Sequence, residues 1–201
     1  MKIIKKIIRK AKHVAGQYTV PKGVLILMYH RVNDLLPEHD LVVRSREFNK
    51  QMKFLASHRH IYDVISLKIL EGDQNKIFKT PKTKVIITFD DGYRDNYFNA
   101  YPILRKYNLP ATIFLTTGLI HTEGSFARYE KNPKPDMLNW DEVNDMAKHD
   151  ISFGPHTVNH PHLNTLSYEE QKKEIYESSR AIEEKVAYYG RVKTIEWPPD
   201  F

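Results

Sequence analysis

Short apolar runs alternate with helix-periodic segments along this chain, and that alternation limits its fold more tightly than any other feature. Val24-Leu-Ile-Leu-Met-Tyr29 is a continuous apolar run that predicts a strand buried on both faces. Phe48, Met52 and Leu55 recur at helical spacing, with Ser45 placed as the N-cap of that helix. Ile61 to Ile65 reads as a short strand, Gly72 to Lys84 as a polar surface loop, and Val85-Ile-Ile-Thr-Phe89 as the next buried strand. Asn99 to Tyr107 predicts a helix that stops before Pro110, and Ala111 to Thr116 a strand. Trp140 to Lys148 is helical, Ile151 to Phe153 a strand, and Ser167 to Val186 a long helix opened by a Ser167/Glu170 capping box. Strands and helices in this order imply a mostly parallel α/β architecture.

At 201 residues and 41% apolar content the chain can bury one sizeable core. The net charge of +6 is carried by Lys2, Lys5, Lys6, Arg9, Lys10 and Lys12, which leaves 25 basic and 25 acidic residues in the rest. A neutral body without aromatic and basic interleaving argues against a nucleic-acid partner. The chain therefore divides into a basic amphipathic segment over residues 1–20 and a folded domain over 21–201. Ile3, Ile4, Ile7, Ile8, Ala11 and Val14 place an apolar stripe opposite those cations. The segment suits either peripheral contact with anionic lipid headgroups or simple packing on the body. With no secretory apolar region, the expected location is cytoplasmic, on the membrane face if that contact forms.

Active sites of parallel α/β proteins gather at the carboxyl ends of strands. Asp90 and Asp91 stand at such an end, directly after Phe89, and Gly92 permits a sharp exit. Taken alone, a turn with surface acids gives the same pattern. Gly154-Pro-His-Thr-Val-Asn-His-Pro161 also follows a strand, and His156 and His160, four apart, would point the same way on one helical turn. Such a pair arises by chance in a chain with ten histidines; its placement at a strand end, together with a third candidate ligand, Asp91, at another, is what singles it out. With no cysteine in the chain, a metal must be held by imidazole and carboxylate. Two histidines with Asp91 make a set that leaves positions open for water and substrate, and Asp90 is left to act as general base.

Thr88-Phe-Asp-Asp-Gly92 and His156-Thr-Val-Asn-His160-Pro161 resemble the first two motifs of the polysaccharide deacetylases, the nodulation-protein-type domain of carbohydrate esterase family 4. Leu27-Met-Tyr-His-Arg-Val32, Asn99-Ala-Tyr-Pro-Ile-Leu104 and Pro110-Ala-Thr-Ile-Phe-Leu115 are similar to the text between those motifs. The resemblance implies a distorted (β/α) barrel of about seven strands, TIM-like in outline. It implies hydrolysis of N-acetyl groups on a polysaccharide or glycan, with Asp91, His156 and His160 holding a divalent ion, usually Zn2+, and Asp90 as base.

The third motif of that family falls at Ile195-Glu-Trp-Pro-Pro-Asp-Phe201, where Pro199 stands at the tyrosine position and has no N–H for an oxyanion. The family's later motifs, including a histidine that protonates the leaving amine, are not found, so the barrel is expected to be incomplete at its C-terminal strands. The alternative expectation is a catalytically silent remnant that binds metal or glycan. His30, at the end of a strand, is a further candidate for lining the site, and His162 reads as a loop residue. Trp140 could floor a sugar site or anchor its helix in the core. His13, His39, His58, His60, His121 and His149 read as solvated.

Overall fold

The computed structural model describes residues 23–37, 40–71, 80–121, 136–187 and 190–192. The amphipathic segment over residues 1–20, His13, His39, most of the 72–84 loop and the Ile195–Phe201 motif with Pro199 lie outside the described residues.

The chain runs through β1 (Val24–Tyr29), the short pair β2 (Arg31–Val32) and β3 (Val42–Val43), α1 (Ser45–Ser57) and β4 (Tyr62–Val64). It continues through β5 (Thr83–Phe89), α2 (Tyr101–Tyr107) and β6 (Ala111–Leu115). The last described elements are α3 (Trp140–Ala147), β7 (Ile151–Pro155) and α4 (Tyr168–Lys185). Strands β1, β5, β6 and β7 pair in that order, all parallel, with β4 also pairing to β5. Because β1 follows one edge of β5 from Lys84 to Phe89, β4 and β6 share the other edge, β4 at its start and β6 at its end. The strands splay there, as a curling sheet requires.

One core lies on one face of this sheet. Val85, Ile87 and Phe89 of β5 meet Phe48, Met52 and Leu55 of α1, Tyr101 and Leu104 of α2, Val143 and Met146 of α3, and Ile182 of α4. Tyr29, Phe48 and Phe89 form an aromatic seam with ring centroids 5.1–5.8 Å apart. The four described helices thus cover the same face, the arrangement of a barrel wall rather than of a doubly wound sheet. The opposite face holds Ile86 packed with Ile65 and Leu67.

Four sequence-based expectations need correction. β1 is not buried on both faces: Leu27 and Tyr29 pack on the core, while Ile26 and Met28 are 56% and 62% exposed. The N-cap of α1 is Arg44, and Ser45 is its first residue, whose N–H donates to Asp34 Oδ1 at 2.9 Å. The polar loop gives up Thr83 and Lys84 to β5, where buried Lys84 donates to Asp63 at 2.6 Å and Thr80 at 2.7 Å. The α2 region begins earlier than periodicity indicates, with a π-helical turn over Asn96–Ala100. The Ser167/Glu170 capping box of α4 is present as expected, and Asn139/Glu142 forms another at α3.

Candidate metal centre

Strand β5 delivers Asp90 and Asp91 to its carboxyl end in two different directions. The Asp90 N–H still donates to Tyr29 O at 3.0 Å, continuing the ladder with β1. Asp91 then takes a φ of 77° and Gly92 one of 84°, so the backbone turns sharply out of the sheet. A side chain at Gly92 would meet Leu115 Cδ2 at 2.9 Å. The turn is held by Thr116 N–H donating to Asp91 O and Leu138 N–H donating to Gly92 O. Its result is that the Asp91 carboxylate is completely buried while Asp90 keeps 15% of its side chain exposed.

His156 and His160 approach Asp91 from the loop after β7. Their Nε2 atoms lie 3.5 Å and 3.3 Å from Asp91 Oδ1, and their ring centroids are 4.9 Å apart. Contrary to the expectation from their spacing, they do not lie on a helical turn. The segment is irregular, with positive φ at Thr157 (64°) and His160 (55°), and the His160 N–H donates to Thr157 Oγ1 at 3.0 Å. Pro155 and Pro161 bracket a span too short and too strained for a helix.

One donor from each of Asp91, His156 and His160 lies within 4.8 Å of the others. Donors around a single tetrahedral ion, with bonds of about 2.0–2.1 Å, stand roughly 3.3–3.4 Å apart. The 3.3 and 3.5 Å separations match that spacing, and a carboxylate with two imidazoles is a donor set suited to zinc and similar divalent ions.

Burial pushes the Asp90 carboxyl above the ordinary carboxylate range; His30 and His160 draw it back, and Asp91 adds to the rise. His30 Nε2 lies 3.9 Å from Asp90 Oδ2, and its side chain is 14% exposed, so the strand-end candidate does line the site. Its neighbours are anchored by residues that motif reading missed. Asp95 accepts from Arg31 Nε at 2.7 Å, Asn33 Nδ2 at 3.1 Å and Val32 N–H at 3.3 Å. Asn96 Nδ2 donates to His30 O at 2.9 Å, and Asn99 Nδ2 to Val32 O at 2.7 Å. Asp95, four residues after Asp91, carried no sequence signal of this anchoring role.

The other candidates fall away from this centre. Trp140 packs against the core at the start of α3, and His162 is an exposed residue leading into a short turn. His58 stacks on Phe54, and His60, His121 and His149 are exposed. Among the described residues no helix is long and apolar enough to cross a membrane.

Comparison with known proteins agrees with this geometry. The sequence profile of the polysaccharide deacetylase family matches residues 78–199. The chain is 32% identical over 178 residues to the YxkH protein of Bacillus subtilis (strain 168), covering 89% of this chain and 57% of that protein. It is 34% identical over 141 residues to the poly-beta-1,6-N-acetyl-D-glucosamine N-deacetylase of Staphylococcus aureus (strain MSSA476), covering 70% of this chain and 44% of that protein. The chain thus spans about half the length of the curated relatives it matches. Among solved structures, the Streptococcus pyogenes deacetylase PplD in complex with acetate superposes with a TM-score of 0.67 at 28% identity, over 81% of this chain and 69% of that one. A profile matched over more than half of the chain, a shared parallel fold and the Asp-Asp and His-x-x-x-His strand ends in place lead to one conclusion: the chain belongs to the polysaccharide deacetylase family.

Proposed function

We propose that this protein hydrolyses the N-acetyl groups of an N-acetylated glycan, with polymers of N-acetylglucosamine as the substrate class. The observation that carries the reading is the convergence of Asp91, His156 and His160 on one point, with Asp90 beside them and raised in pKa. Asp91, His156 and His160 would hold a divalent ion, zinc by the chemistry of the donor set, which would supply Lewis-acid polarisation of the amide carbonyl and a lowered pKa for water. Asp90, more basic than an exposed carboxylate, takes the proton of the attacking water. The amine leaves readily only when protonated, and His30, 3.9 Å from Asp90, is the imidazole assigned to deliver that proton in this reading. His30 thus offers an amine-protonating group within the described residues, in a role that the family resemblance assigns to a later motif. The products are acetate and a free amino sugar.

The test is acetate release from a β-1,6-linked N-acetylglucosamine oligomer by the zinc-loaded protein, alongside Asp91→Ala. Turnover that disappears in the variant is the expected result. Zinc binding without acetate release would favour a silent glycan- or metal-binding relative, and a chain that binds no divalent ion would overturn the metal centre altogether.

A further inference from the structure

Thr157 is a β-branched residue at positive φ inside the loop that carries both histidines, a conformation that persists only where its surroundings hold it. The loop is gripped on two sides. Thr117 N–H donates to Thr157 O at 3.1 Å and Gly118 N–H to Val158 O at 2.9 Å, from the turn after β6. From the other side, Glu174 of α4 accepts from Val158 N–H at 2.8 Å and Asn159 N–H at 2.9 Å through Oε2, and from Asn159 Nδ2 at 2.7 Å through Oε1. Thr157 O with Val158 N–H, and Val158 O with Asn159 N–H, are the two ends of consecutive peptide units. The middle two of the four peptide units between the histidines are therefore clamped at both ends.

We propose that Glu174 is the positioning residue of the His156–His160 loop, setting the separation at which the two imidazoles meet Asp91; the proposal rests on the metal-centre reading above. All three groups facing the Glu174 carboxylate are donors, so the position needs a group that only accepts. Glutamine has nearly the same shape and helix propensity, yet it is uncharged, and with its carbonyl oxygen on the two backbone N–H groups its NH2 faces the Asn159 side chain, which must turn its own amide to accept. Gly118 completes the clamp from the far side, because a Cβ there would stand 2.8 Å from Val158 O.

The experiment titrates zinc into the full chain and into Glu174→Gln, Gly118→Ala and, as a control on the same helix, Glu177→Gln, with amide hydrogen exchange on the metal-free proteins. Glu174→Gln is expected to bind zinc about 10- to 100-fold more weakly, as loss of an outer-shell partner does. Exchange should rise at Val158 and Asn159 while helix content is unchanged, and Glu177→Gln should match wild type. Gly118→Ala should weaken zinc in the same direction, which keeps the test decisive if Glu174→Gln fails to fold. Zinc affinity in Glu174→Gln within about threefold of wild type would overturn the clamp even if acetate release is lost. A wild type that binds no zinc, with exchange at Val158 and Asn159 still dependent on Glu174, would instead overturn the metal reading and leave a purely structural clamp.

Discussion

Replacing Asp95 with alanine is expected to destabilise the fold by about 3–5 kcal/mol, the range for removing one member of a buried ion pair. The magnitude follows from what is left behind. The side chains of Arg31 and Asp95 are only 12% and 6% exposed, so the guanidinium cannot recover its lost partner from water. Val32 N–H and the Asn33 amide lose the same acceptor. Burial pushes the Asp95 carboxyl up, and Arg31, Asn33 and Val32 pull it only part of the way back. For a chain of this size the loss corresponds to a fall of about 6–20 °C in unfolding temperature. Because Arg31 directly follows His30, the folded fraction should also lose turnover while keeping zinc affinity at Asp91, His156 and His160. Urea unfolding of wild type, Asp95→Ala, Arg31→Met and the double variant measures the effect, and the double should lose less than the sum of the singles. A loss below about 1 kcal/mol, the level of a surface pair, or simple additivity would refute the anchoring role.

Three further outcomes follow from the same geometry. Since burial raises Asp90 in the folded state, its ionised form weakens the metal-free protein above its folded pKa, and that penalty fades as pH falls through the folded pKa and is gone below the unfolded pKa. Asp90→Asn should therefore unfold at or above the wild-type temperature at pH 7 while kcat falls by about 10² to 10⁴; a lower unfolding temperature would contradict this. His30→Gln should reduce kcat by a comparable factor of about 10² to 10⁴ with zinc affinity held, and unchanged turnover would remove His30 as proton donor. Gly92→Ala, forced to a φ of 84° with its Cβ 2.9 Å from Leu115, should cost about 1–3 kcal/mol in urea unfolding, and a neutral result would mean the turn relaxes without penalty.

The core was legible because its signal is local. Phe48, Met52 and Leu55 repeat at helical spacing, Val85 to Phe89 is an unbroken apolar run, and Ser167/Glu170 marks the start of α4; each needs only its own neighbours to be read. The reading of β1 failed for the complementary reason. An apolar run records that both faces tolerate apolar side chains, not what covers them, and among the described residues Ile26 and Met28 are largely uncovered. The fork at β5 was equally hidden, since the pairing of Tyr62–Val64 with one half of an edge and Ala111–Leu115 with the other depends on how the sheet curls.

The site divides along the same line. Asp90, Asp91, His156 and His160 could be named because strand ends and ligand spacing are written in consecutive residues. Their geometry could not, because a His-x-x-x-His spacing fits a helical turn as well as an irregular loop, and the sequence between the histidines does not decide which forms. The choice is made from outside that segment, by amides of Thr117 and Gly118 and by the carboxylate of Glu174, none of which touches a metal-ligand atom in any motif. A motif of this kind therefore specifies which atoms can bind an ion, while the ability to bind it at about 2.0–2.1 Å depends on distant residues that hold a strained backbone in place. Substitution at Glu174 or Gly118 should accordingly weaken zinc binding, a loss that the motif alone would predict only for the ligands themselves.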